Sequence, residues 1–109
     1  MGARAFITGL AGTVLTPNER DFIRSARPWG FILFRRNVEH PRQVRALVEE
    51  LRDLSRPDAP VLVDQEGGRV QRLGPPHWPL YPPGIVYGRR YDHDPAAGLA
   101  AARLGGRLI

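Results

Sequence analysis

Two short apolar runs on either side of one amphipathic helix constrain this chain more than any other feature. Gly30-Phe31-Ile32-Leu33-Phe34 offers no polar side chain to either face. A strand that is apolar on both faces belongs inside a parallel sheet, covered from two sides. Pro41 then opens a helix in which Val44, Leu47, Val48, Leu51 and Leu54 recur with the helical period. Arg42, Arg45, Glu49, Glu50, Arg52 and Asp53 take its other face, the pattern of a solvated surface. Pro57-Asp58-Ala59-Pro60 breaks the chain, and the second run, Val61-Leu62-Val63, follows. Strand, crossover helix and strand form a βαβ unit with parallel strands.

The alternation extends both ways. Ala5-Phe6-Ile7-Thr8 reads as a short buried strand entering a loop with Gly9 and Gly12. In Thr16-Pro17-Asn18-Glu19, Thr16 can cap a helix, Pro17 suits its first position and Glu19 completes a capping box. That helix is predicted to turn Phe22, Ile23 and Ala26 inward and to stop before Pro28. Residues 73–93, rich in Pro, Gly and Tyr, read as an ordered but irregular loop. Asp94-Pro95 starts a last helix, with Ala97, Ala101, Leu104 and Leu108 as its buried stripe. The order β, α, β, α, β, loop, α is the α/β class with a parallel sheet. Three parallel strands cannot close a barrel. A complete (β/α)8 barrel needs about 250 residues, and this chain has 109. The expectation is the N-terminal part of a longer enzyme, with a small three-stranded domain stabilised by a partner as the alternative.

Composition narrows the function classes. The chain is 42% hydrophobic and 25% charged, as in an ordinary globular protein. It has no cysteine, which excludes disulfides and thiolate metal sites and fits a reducing compartment. All 16 basic residues are arginine and the net charge is +5. They are scattered from Arg4 to Arg107 without a stripe or aromatic interleaving, so no nucleic-acid partner is expected. No apolar run approaches the roughly 18 residues that would span a bilayer, so no membrane partner is expected either. His40, His77 and His93 lack metal-ligand spacing, and no metal or cofactor is predicted. Trp78 reads as an anchor of the 73–93 loop.

The chemistry concentrates in Val61-Leu62-Val63-Asp64-Gln65-Glu66-Gly67-Gly68-Arg69-Val70-Gln71-Arg72. In parallel α/β proteins, ligands sit at the carboxyl ends of strands. Asp64 stands there directly after an apolar run. It suits hydrogen bonds from sugar hydroxyls or from an arginine, and equally suits fixing the amides around Gly67 and Gly68; spacing leaves both open. Glu66 and Arg69 are predicted to pair across the glycine turn. Arg72 lies where it could point back over the strand end. The glycines lack the spacing and the lysine of a phosphate loop.

These residues resemble a known family. Phe31-Ile32-Leu33-Phe34-Arg35-Arg36-Asn37, then Asp64 to Arg72 after an intervening helix, closely resemble the bacterial β-N-acetylhexosaminidases of glycoside hydrolase family 3. Ala5-Phe6-Ile7-Thr8-Gly9 and Tyr91-Asp92 before an Ala-rich helix agree. The resemblance implies a (β/α)8 barrel of which residues 1–109 are the N-terminal portion. It implies a cytoplasmic enzyme that removes terminal β-linked N-acetylglucosamine from muropeptides during peptidoglycan recycling, with retention through a covalent intermediate. By position, Asp64 and Arg72 match substrate-binding residues. Glu66, Gly67, Gly68 and Arg69 match structural support. The family's nucleophile and its His–Asp acid–base pair are expected beyond Ile109, in the remainder of the barrel, so the chain alone is expected to be inactive. A catalytically silent sugar-binding or interaction module is the alternative.

Overall fold

The structure, a computed structural model, describes residues 2–109. The chain divides into two compact units, the first ending at Val63 and the second running Asp64–Ile109.

The first unit is a three-stranded parallel sheet with its crossover helices. In chain order it comprises β1 (Arg4–Thr8), α1 (Pro17–Ala26), β2 (Pro28–Leu33), a 3-10 turn (Arg35–Asn37), α2 (Pro41–Leu54) and β3 (Val61–Val63). The sheet order is β1-β2-β3, and Phe31 is in register with both Thr8 and Val61. The predicted α/β alternation is therefore present, with β2 central. β2 ends at Leu33 because the Phe34 amide donates to Asn37 Oδ1 at 2.8 Å and leaves the ladder.

Both helix starts follow from their caps. The Glu19 amide donates to Thr16 Oγ1 at 3.2 Å while Glu19 Oε2 accepts from the Thr16 amide at 2.8 Å, a complete capping box. His40 caps α2, its Nδ1 accepting from the Gln43 amide at 3.2 Å. α1 stops at Arg27, which adopts a left-handed conformation with φ 53°. Ile23, Phe31, Leu33, Leu47, Leu51 and Ala59 form the core together with Leu10 and Leu15. Of the three residues expected to face inward, Ile23 is buried and Ala26 partly so, but Phe22 lies edge-on to Phe6 at 6.4 Å with nearly half its surface exposed. Ile7 and Leu62 are also exposed, so the unit's core covers one sheet face and not two.

The second unit contains an antiparallel hairpin, β4 (Gln65–Gly67) with β5 (Val70–Gln71), and two helices, α3 (Gly84–His93) and α4 (Pro95–Leu108). α3 lies inside the segment predicted to be irregular. Its sequence hides it: it carries Gly84 and Gly88, has no side-chain cap and buries no residue. The α4 stripe also differs from expectation. Gly98 and Gly105 are the buried residues, while Leu104 and Leu108 are exposed. A Cβ at Gly98 would collide with the Tyr91 backbone, and one at Gly105 with the Tyr87 ring. Two tyrosines of α3 thus press into two glycine notches of α4, a closeness that leucines would prevent.

Candidate functional site

In the second unit, Asp64 and Arg72 face each other across the base of the hairpin. The Arg72 amide donates to the Asp64 carbonyl at 3.2 Å, and Arg72 Nη2 lies 3.4 Å from Asp64 Oδ2. Both side chains are partly exposed, Arg72 by 28% and Asp64 by 40%, so solvent reaches the contact. A carboxylate that accepts and a guanidinium that donates, side by side, suit neighbouring hydroxyls on one small polar molecule.

The glycines between them are required by geometry. Gly67 and Gly68 have φ of 81° and 60°, a region that side chains disfavour. They also receive the chain from the other side. A Cβ at Gly67 would overlap the Pro82 carbonyl, and one at Gly68 would lie 2.6 Å from Pro83 Cβ. The Gly68 amide donates to the Tyr81 carbonyl at 2.8 Å, not to Asp64. Of the two roles open to Asp64, its side chain therefore takes the arginine-facing one. The predicted pairing of Glu66 with Arg69 does not occur: among the described residues no ion pair joins them, and both are exposed. Glu66 lies in β4 and Arg69 in the glycine turn, and each side chain is exposed to solvent.

Two further residues organise the site and were not singled out from sequence. Gln65 and Gln71 are cross-strand partners in the hairpin. Gln65 Nε2 donates to the Leu73 carbonyl at 2.8 Å, and the Leu73 amide donates back to Gln65 Oε1 at 3.0 Å. Gln71 Nε2 donates to the carbonyls of Leu73 at 2.9 Å and Pro79 at 2.6 Å, while its Oε1 accepts from the Tyr81 amide at 3.0 Å. The available signal was their placement: each adjoins one member of the Asp64–Arg72 pair.

The first unit has its own buried polar centre where β1 and β2 end. Asn37 is fully buried, its Nδ2 donating to the carbonyls of Leu10 at 3.1 Å and Gly12 at 2.8 Å. Arg36 stacks 4.9 Å from the Phe34 ring centroid and donates through Nε to the Leu10 carbonyl at 2.8 Å. Glu19 Oε1 accepts from the Ala11 amide at 2.8 Å, which ties down the same loop. Burial alone would raise the Glu19 pKa. Hydrogen bonds from the Thr16 and Ala11 amides and from the Thr16 hydroxyl, with the Arg20 charge, outweigh it and hold the carboxyl below its ordinary 4.5.

Among the described residues no cluster of three or more histidines and carboxylates could hold a metal ion, and no helix is long and apolar enough to cross a membrane. His77 contacts Trp78 edge-on at 6.0 Å, and His93 ends α3.

No family model matches the chain. Curated proteins do. A β-hexosaminidase from Alkalilimnicola ehrlichii is 43% identical over 101 residues, which is 93% of this chain and 29% of that protein. One from Pseudomonas aeruginosa is 52% identical over 64 residues, 59% of this chain and 19% of that protein. Among solved structures, NagZ from Neisseria gonorrhoeae in complex with N-trifluoroacetyl-D-glucosamine superposes with a TM-score of 0.91 at 32% identity, over 99% of this chain and 32% of that one. A glycoside hydrolase family 3 β-N-acetylglucosaminidase from Paenibacillus gives a TM-score of 0.66 at 31% identity, over 76% of this chain and 16% of that one. The chain thus spans just under a third of the length of the first-named curated relative and of NagZ. In sequence and in fold alike, it is similar to the N-terminal part of the barrel domain of bacterial β-N-acetylhexosaminidases of glycoside hydrolase family 3.

Proposed function

We propose that this chain is the sugar-recognition part of a β-N-acetylhexosaminidase, with Asp64 and Arg72 holding the hydroxyls of a terminal N-acetylglucosamine. The observation that carries the reading is the Asp64–Arg72 juxtaposition across the hairpin. It lies in a chain 43% identical to a β-hexosaminidase and superposable on NagZ solved with an N-acylated glucosamine. The acceptor–donor pair supplies binding. The bond-breaking residues belong to the rest of the barrel, which is the partner this segment needs. The whole protein would release β-linked N-acetylglucosamine from muropeptides in the cytoplasm, with retention at the anomeric carbon.

Calorimetry tests the sugar site. Titration of N-acetylglucosamine into the chain should give binding heat that disappears in Asp64→Ala. Unchanged heat in Asp64→Ala, or none with the wild-type chain, would count against the reading.

A further inference from the structure

We infer that Arg36 is an oxyanion-binding residue at the carboxyl end of the first unit's sheet, taking a carboxylate or a phosphate group of a small ligand. The inference goes beyond the sugar-site reading. It uses residues of the first unit alone and does not depend on Asp64 or Arg72. Arg36 follows the central strand β2 and Gly9 follows β1, so both stand at the strand ends where parallel α/β proteins hold ligands.

The guanidinium is fixed in three ways. Nε donates to the Leu10 carbonyl at 2.8 Å. Cζ lies 4.9 Å from the Phe34 ring centroid, so one face of the plane is covered. Nη2 occupies the space beside Gly9, where a Cβ would come to 3.3 Å from it. The loop beneath is itself held by side chains. Leu10 and Gly12 are bonded by the buried Asn37, Ala11 by Glu19 and Thr13 by Gln43.

Capping the Leu10 carbonyl does not account for the arginine. Asn37 Nδ2 donates to the same oxygen at 3.1 Å, so a buried side chain satisfies that carbonyl without Arg36. Nor is Arg36 half of an ion pair. In the same unit Arg20 pairs with Glu50, Arg24 with Asp21 and Arg56 with Asp58. Among the described residues no ion pair includes Arg36, and its side chain is exposed. An exposed arginine ordinarily loses side-chain freedom when it binds an anion, and the loss lowers affinity. At Arg36 the ordering is already complete in the folded chain. With Nε and one face engaged, Nη1 and Nη2 remain, and that edge of the fork matches two oxygens of a carboxylate or a phosphate.

The test is an NMR titration of the full 109-residue chain with acetate and, separately, with inorganic phosphate, at an ionic strength held constant with sodium chloride. It reads the side-chain Nε–H and Nη resonances of Arg36 and Arg45. Arg45 is exposed on α2 and is also in no ion pair among the described residues, so it carries the charge without the platform. Arg36 should show saturable shifts about three- to tenfold tighter than Arg45, the margin that prior ordering of one long side chain supplies. Tighter binding of acetate assigns the site to a carboxylate, and tighter binding of phosphate to a phosphate ester. Phe34→Leu leaves the guanidinium and the Leu10 carbonyl in place but removes the ring. It should weaken anion binding at Arg36 by about two- to fivefold, the worth of an exposed cation–π contact, with a thermal melt to show that the fold persists. Gly9→Ala, whose methyl group displaces Nη2, carries the same readout if Phe34→Leu fails to fold. Shifts that are equal at both arginines or absent from both, or an affinity at Arg36 that is unchanged in the folded variant, would overturn the inference. No sugar enters the titration, so its outcome is separate from that of the sugar site.

Discussion

Arg72 is joined to Asp64 at two levels: its amide donates to the Asp64 carbonyl at 3.2 Å and its guanidinium stands 3.4 Å from the Asp64 carboxylate. The seven residues between them in sequence are folded away by the hairpin and its two positive-φ glycines. The pair makes shape as well as charge matter. Arg72→Lys keeps the charge but replaces a planar fork with a point donor. It should weaken N-acetylglucosamine binding by about 1.5–3 kcal/mol, the range for hydrogen bonds to charged groups. Calorimetry on the variant, with a melt to show that the fold persists, checks this.

The two glycine notches of α4 give a prediction with opposite signs along one helix. Gly98→Ala puts a methyl group into the Tyr91 backbone and should destabilise the second unit by about 1–3 kcal/mol. At Gly106 a Cβ meets nothing within 4 Å, so Gly106→Ala should stabilise by up to about 1 kcal/mol through helix propensity. Urea melts followed by circular dichroism distinguish the two.

Asn37 is the buried polar centre of the first unit. Asn37→Ala removes the side-chain partner of the Phe34 amide and of the Gly12 carbonyl, and one of the two donors to the Leu10 carbonyl, which keeps Arg36 Nε. A loss of at least about 2 kcal/mol is expected, because buried groups left unsatisfied cost their full desolvation. Leu51→Ala, which opens a cavity at a fully buried position, should cost about 2–5 kcal/mol in the same assay.

Glu19 makes a pH prediction. Its folded-state pKa lies below the ordinary 4.5. A depressed carboxyl contributes stability that is present above the unfolded value and is lost as pH falls through the lower folded value. Melting temperature should therefore drop as pH falls from about 5 downward. Glu19→Gln should be less stable than wild type near neutrality and should show a shallower fall in that window. Parallel slopes for the two proteins would contradict the assignment.

The first unit was largely legible in sequence because its signals are local. The α2 stripe, the Thr16 capping box and the β-runs at Phe31 and Val61 each carry their own period or cap. Phe22 misled because two adjacent apolar residues compete for one core position, and only packing decides that Ile23 wins. The second unit was legible at Asp64 and obscure elsewhere. α3 lacks a cap and an apolar stripe, and α4 packs by absence of side chains at Gly98 and Gly105, which no hydrophobic pattern records. Gln65 and Gln71 read as ordinary polar residues, since their importance lies in peptide groups two to ten positions away.

The most direct measurement of the central claim is a residue-resolved NMR titration of the chain with N-acetylglucosamine. The account predicts saturable shifts concentrated at Asp64, Arg72 and Leu73, and absent from Asp64→Ala. Shifts that centre elsewhere, or that persist unchanged in Asp64→Ala, would contradict it.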